Sequence, residues 1–121
     1  MNMRYDLEER TTAFAKKIID FAYTIPITPV TKSIIDQLVR AGTSIGANYR
    51  EANEGSSRKD FLNKIRISKK ETNETLHWLG LVAHAVVEKH GQSMVLWAEA
   101  HEFLLIFGKI IRSTTDGMTN S

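Results

Sequence analysis

A chain of 121 residues is long enough for one domain with its own hydrophobic core, and needs no covalent staples. Apolar residues make up 42% and charged residues 25%, globular proportions that argue against a disordered chain. There is no cysteine, which excludes disulfides, thiolate metal sites and a cysteine nucleophile; the net charge is only +2, so any affinity for nucleic acid has to come from where the bases lie.

The first ten residues, MNMRYDLEER, carry charge at once and no apolar stretch, so no secretory leader is expected. Apolar runs are too short to span a bilayer, and a cytoplasmic location is the expectation. From about residue 5 to 24, Leu7, Phe14, Ile18 and Phe21 recur at spacings of seven, four and three, with Ala22 beside them, which predicts one amphipathic helix. Pro26 and Pro29 end it, and the residues between should be extended. Thr28 can cap a second helix with Pro29 at its first position, Thr31 being the competing cap. That helix should cover about 29–53, with Ile34, Ile35, Leu38, Val39, Ile45 and Tyr49 as its core stripe.

Two glycines, Gly42 and Gly46, lie within this second helix among Thr43, Ser44 and Ala47. Each weakens a helix by roughly 1 kcal/mol relative to alanine. Such a stripe implies close packing of another backbone. Gly55 follows as a stop able to take positive φ, and Ser56 or Ser57 can cap a third helix. The third helix is expected over 57–89, on the order of 45–50 Å long. Its core positions are Phe61, Leu62, Ile65, Ser68, Thr72, Leu76, Leu79, Ala83 and Val86, with Gly91 as the stop. A fourth helix over 94–112 buries Leu96, Phe103, Leu104, Phe107, Ile110 and Ile111, and 113–121 should fray.

Four helices with short connections predict a single all-α domain, a four-helix up-and-down bundle spanning 1–121. The third helix is expected to be the longest, so part of it should overhang its neighbours or be covered by another subunit. Trp78, Leu81 and Trp97 fall off the core stripes and are candidate oligomer contacts.

Between Arg58 and Lys70 there are six bases against one acid, Asp60. At 100° per residue Lys59, Arg66 and Lys70 fall within about 40° of one another, with Arg58 and Lys69 on the shoulders. The same line continues to Asn73, His77 and His84, roughly opposite the core. Clustered lysine and arginine displace counterions from nucleic acid, so this face reads as a phosphate track. The bland reading is an ordinary solvated helix face. No aromatic is interleaved with the bases, which gives stacking on single strands little support.

Glu74 and His77 have the Glu-x-x-His spacing of di-iron bundles, but no second such pair exists, and His77 lies on the outer basic line. No metal or other cofactor is therefore expected. Arg40, Ser44, Asn48 and Glu51 recur at spacings of four, four and three and share one side of their helix. With Ser68, Glu71 and Thr75 of the third helix they form either a ligand pocket or, as we prefer, a buried hydrogen-bond network that sets helix register. No serine comes with a recognisable His-carboxylate order, and GTSIGAN lacks the lysine and preceding strand of a phosphate-binding loop. No enzyme is expected.

The run RAGTSIGANYREA, Arg40 to Ala52, followed by Phe61, Ile65, Ser68, Glu71, Glu74 and Leu76, resembles the 23S rRNA intervening-sequence proteins of bacteria over nearly the whole chain. The resemblance implies a four-helix bundle assembled as a homopentamer. That family is named for genes located inside rRNA insertions, and it is similar to the pentameric accessory proteins of diversity-generating retroelements, which bind nucleic acid and a reverse transcriptase. Taken together, a non-catalytic homo-oligomer that binds RNA or DNA through Arg58, Lys59, Arg66, Lys69 and Lys70 is the leading expectation. A protein-interaction scaffold whose basic face meets an acidic partner, or only water, is the alternative.

Overall fold

The computed structural model describes the backbone of residues 3–120 and the side chains of residues 6–117. Met1, Asn2 and Ser121, parts of the expected leaderless start and frayed end, lie outside the described residues. Four helices follow in order: α1 (Met3–Thr24), α2 (Pro29–Asn53), α3 (Arg58–Ala85) and α4 (His90–Asn120), with a 3-10 turn at Val87–Lys89 before α4. No strand occurs among the described residues.

Capping chemistry explains the two sharpest starts. The Thr28 hydroxyl accepts from the Thr31 amide at 3.1 Å, and the Thr31 hydroxyl accepts in return from the Thr28 amide at 2.8 Å. Both threonines thus act in one reciprocal cap, with Pro29 at the first helical position. Ser57 caps α3 by accepting from the Asp60 amide at 3.1 Å.

Neighbouring helices run antiparallel. Gly42 faces Ile18 and Gly46 faces Thr11, which sets α1 against α2. The Ser68 hydroxyl donates to the Ile45 carbonyl at 3.0 Å, setting α2 against α3, and that of Ser93 donates to the Leu79 carbonyl at 2.6 Å, setting α3 against α4. The fourth side closes where Phe14 meets Phe103 edge-on at 5.4 Å. This is a four-helix bundle of up-and-down connectivity. Its core is Leu7, Phe14, Ile18, Leu38, Ile45, Ile65, Leu79, Phe103 and Phe107 with their neighbours, all buried. Its buried hydroxyls are matched to carbonyls: Thr72 donates to Ser68, and Thr75 to Glu71.

Several boundaries differ from the sequence expectation. α3 ends at Ala85 rather than at residue 89, because two adjacent β-branched residues follow and Val86 leaves the helical region at φ −128°, its side chain tucked into the core. Gly91 is no stop; it lies in the first turn of α4, which begins at His90. The segment 113–120 is helical, not frayed, because antiparallel packing gives it a neighbour: the Arg58 guanidinium lies over Gly117, 3.7 Å from where a Cβ would stand. At 31 residues α4, not α3 at 28, is the longest helix, so the expectation that α3 is the longest is corrected. Gly55 does not use positive φ, which no described residue adopts. Its constraint is space: an added Cβ would stand 3.1 Å from the Ala52 carbonyl oxygen and 3.3 Å from the Phe61 amide nitrogen.

Candidate nucleic-acid interface

A helix held by neighbours on two sides keeps one face for solvent. α2 takes one flank of α3 through Lys64, Ser68 and Glu71, and α4 takes the other. Arg58, Lys59, Arg66, Lys69 and Lys70 stand on what remains, and all five are exposed. Among the described residues none of them is in an ion pair; the bridges that do form join Arg10 to Glu102, Lys17 to Glu99, Arg40 to Glu71 and Glu74, and Lys64 to Glu51. Lys64, the sixth base of the run, is thus neutralised, while the five on the outer face are not.

Two of the three acids of α4 are turned away from this face, and the third, Asp116, forms no ion pair with it. Glu99 and Glu102 point across to α1, where they meet Lys17 and Arg10, each at 3.1 Å. Arg10 also lies 5.0 Å from the centre of the Phe103 ring, which anchors it on that side. Asp60 accepts from Ser56 at 2.9 Å and sits at the α3 N-terminus, where a negative charge opposes the positive end of the helix dipole. Arg66, Lys69 and Lys70 converge with Asn73 and Leu104 on a depression of about 380 Å³ between α3 and α4. Lys59 stands outside it, two turns nearer the helix start.

The polar set expected to form one buried network separates into pieces. Arg40 donates to Glu71 at 3.0 Å and to Glu74 at 2.8 Å, tying α2 to α3. Glu71 is buried but the Arg40 side chain is about half exposed, because the row containing Arg40 lies at the edge of α2, not toward the bundle axis. Burial works against the Arg40 charge, yet hydrogen bonds and Coulomb attraction from the two carboxylates outweigh it and raise its pKa above the ordinary value. Ser44 donates back to the Arg40 carbonyl at 2.6 Å, and Asn48 to that of Ser44 at 2.9 Å, both within α2. Glu51 pairs with Lys64 at 2.6 Å, and Ser68 bonds to the Ile45 backbone. These contacts set helix register locally, and Glu51 and Lys64 also line a depression of about 360 Å³ with Glu54, Gly55, Asp60 and Asn63.

At Gly42 an added Cβ would stand 2.9 Å from Cγ1 of Ile18, and at Gly46 2.8 Å from Oγ1 of Thr11. α1 and α2 touch there nearly backbone to side chain. Glu74 is engaged by Arg40, and the His77 ring meets Trp78 edge-on at 4.8 Å. No three His, Asp or Glu among the described residues gather closely enough to hold a metal ion. Trp78 and Trp97 are half-buried against the core, and Leu81 is also half-buried. Sequence reading missed the truly exposed apolar set: Tyr23, Ile27, Val30, Val87 and Val95 crowd the bundle end where α1 and α3 finish. They lie off every predicted core stripe and near helix ends, which is the signal that could have found them.

The sequence profile of the family described as 23S rRNA-intervening sequence protein matches residues 4–107. The chain belongs to that family. A crystal structure of a protein of unknown function from the S23 ribosomal protein family of Bacteroides thetaiotaomicron VPI-5482 shares the fold, with a TM-score of 0.80 and 32% identity over 90% of this chain and 97% of that one. No curated protein matches the chain. Nothing in the name of the family or of the solved relative indicates an enzyme. No helix among the described residues is long and apolar enough to cross a membrane.

Proposed function

We propose that this family member is a non-catalytic, homo-oligomeric bundle that binds RNA, or another nucleic acid, through the outer face of α3. One observation carries the reading: five exposed cations share a face and, among the described residues, none of them is in an ion pair, since Glu99 and Glu102 of α4 are engaged with α1 and Asp116 pairs with none of the five. A merely solvated helix face more often interleaves both signs. Lys59, Arg66 and Lys70 contact phosphate, with Lys69 and Arg58 on the flanks. Contacts of this kind fix position on a backbone without reading bases. Similarity to the accessory proteins of diversity-generating retroelements points the same way.

The decisive variant is the double charge reversal Lys59→Glu with Arg66→Glu. Both side chains are exposed, so thermal stability and solution mass should be unchanged while RNA affinity falls at least tenfold. Retained affinity in a folded double variant would sink the reading.

The protein-interaction alternative is favoured by a different observation, the apolar bundle end. Tyr23 is 87% exposed, Ile27 79% and Val87 76%. A groove of about 310 Å³ beside them is lined by Ile19, Tyr23, Ile27, Ile35 and Val39. Exposed apolar surface of this extent marks a contact surface. In our reading it is where copies of the chain associate, as a pentamer, leaving the cationic face free.

A further inference from the structure

The cations of α3 are unevenly spaced. Lys59 and Arg66 are seven residues apart, about 10 Å along the axis at 1.5 Å per residue. The outward residue between them is Asn63, which is uncharged. A phosphate track on α3 alone would have a gap there.

α4 lies alongside that gap. Its register against α3 is set at two places, by the Ser93 hydroxyl donating to the Leu79 carbonyl and by the Arg58 guanidinium lying over Gly117. Counting along the antiparallel pair from either anchor brings Arg112 level with the stretch between Lys59 and Arg66. Leu104, Gly108 and Arg112 are four residues apart and form one row on α4. Leu104 lines the depression with Arg66, Lys69 and Lys70, and Gly108 is buried. Arg112 is exposed, and its Nη1 lies 3.4 Å from where a Cβ on Gly108 would stand. The guanidinium therefore folds back along the row toward the depression, over a residue whose missing side chain leaves it room. It is in no ion pair among the described residues.

We infer that Arg112 is a further phosphate-contacting residue, supplied by α4 to close the gap in the α3 track. The inference rests on the nucleic-acid reading above and widens the surface from one helix to the seam of two. Arg112 lies beyond the stretch matched by the family profile. A guanidinium suits the place because its planar fork grips phosphate oxygens in pairs.

The test compares salt dependence of binding to a short duplex RNA of arbitrary sequence for four forms: the unaltered chain, Arg112→Gln, Arg66→Gln and Lys32→Gln. Lys32 is an exposed cation at the start of α2, at the opposite end of the bundle from the start of α3. Losing one phosphate contact lowers the slope of log K against log salt by about one. Arg112→Gln and Arg66→Gln should each show that drop, and a several-fold weaker affinity at low salt, with unchanged melting. Lys32→Gln should show neither. If Arg112→Gln behaves like Lys32→Gln while Arg66→Gln loses its contact, Arg112 is not part of the surface and the α3 reading stands. An equal loss from Lys32→Gln overturns the inference too, since position would then not matter. Absent or salt-independent binding by the unaltered chain overturns both proposals together.

Discussion

Gly46 decides how closely α1 and α2 can approach. An added Cβ would stand 2.8 Å from Oγ1 and 3.1 Å from Cβ of Thr11, a buried β-branched residue whose hydroxyl already donates to the Leu7 carbonyl at 2.8 Å. Neither partner can turn away without breaking that bond or moving the backbone. Gly46→Leu should therefore cost about 3 kcal/mol, the upper end of ordinary overpacking, in chemical denaturation. Wild-type stability in that variant would mean the helices have slack the geometry does not show. Ser68 is a milder case, a buried hydroxyl whose bond to the Ile45 carbonyl crosses between helices. Ser68→Ala should cost about 1 kcal/mol, the usual net worth of such a bond. Sequence alone pointed to both residues, because glycines four apart inside a helix and a serine within an apolar stripe break local rules. It could not name Thr11 or Ile45 as their partners, since that depends on how the helices are placed in register.

At the scale of elements, Arg40 is the chief polar tie between α2 and α3. Glu71 is buried, and without Arg40 its carboxylate would lose its ion-pair partner. Arg40→Met should cost about 1–2 kcal/mol, and adding Glu71→Gln should recover part of it, because the second change removes the stranded charge. Full additivity of the two losses would show that the pair is not coupled. Helix starts were legible where a side chain caps them, as at Thr28 and Ser57. Ends were less so. α3 stops at a pair of valines rather than at a glycine, and α4 continues through poor helix formers because α3 lies beside them. The cationic face of α3 followed from the 100° period alone. Its isolation from acids did not, because the orientation of Glu99 and Glu102 toward α1 depends on which helix occupies each side of α4.

Across the whole molecule two unlike surfaces are separated along the bundle. The end where α1 and α3 finish is apolar, and the bases sit on the half of α3 nearer the other end. Such a division lets copies associate by one end while the cationic faces remain open to a ligand, their charge multiplied by the number of copies. If Tyr23, Ile27 and their neighbours hold the assembly, Tyr23→Lys with Ile27→Lys should reduce the mass in light scattering to that of a single 13.7 kDa chain without unfolding it. An unchanged mass would place the subunit contact elsewhere. The central claim is that the outer face of α3 grips nucleic-acid phosphate. Its most direct test is a titration of the purified protein against labelled duplex and single-stranded RNA across a range of salt concentrations. The account expects log K to fall linearly with log salt at a slope of about −3 or steeper, as release of counterions from several phosphates requires. Binding that is negligible at low salt, or indifferent to salt, would contradict it and leave the bases as a solvated helix face.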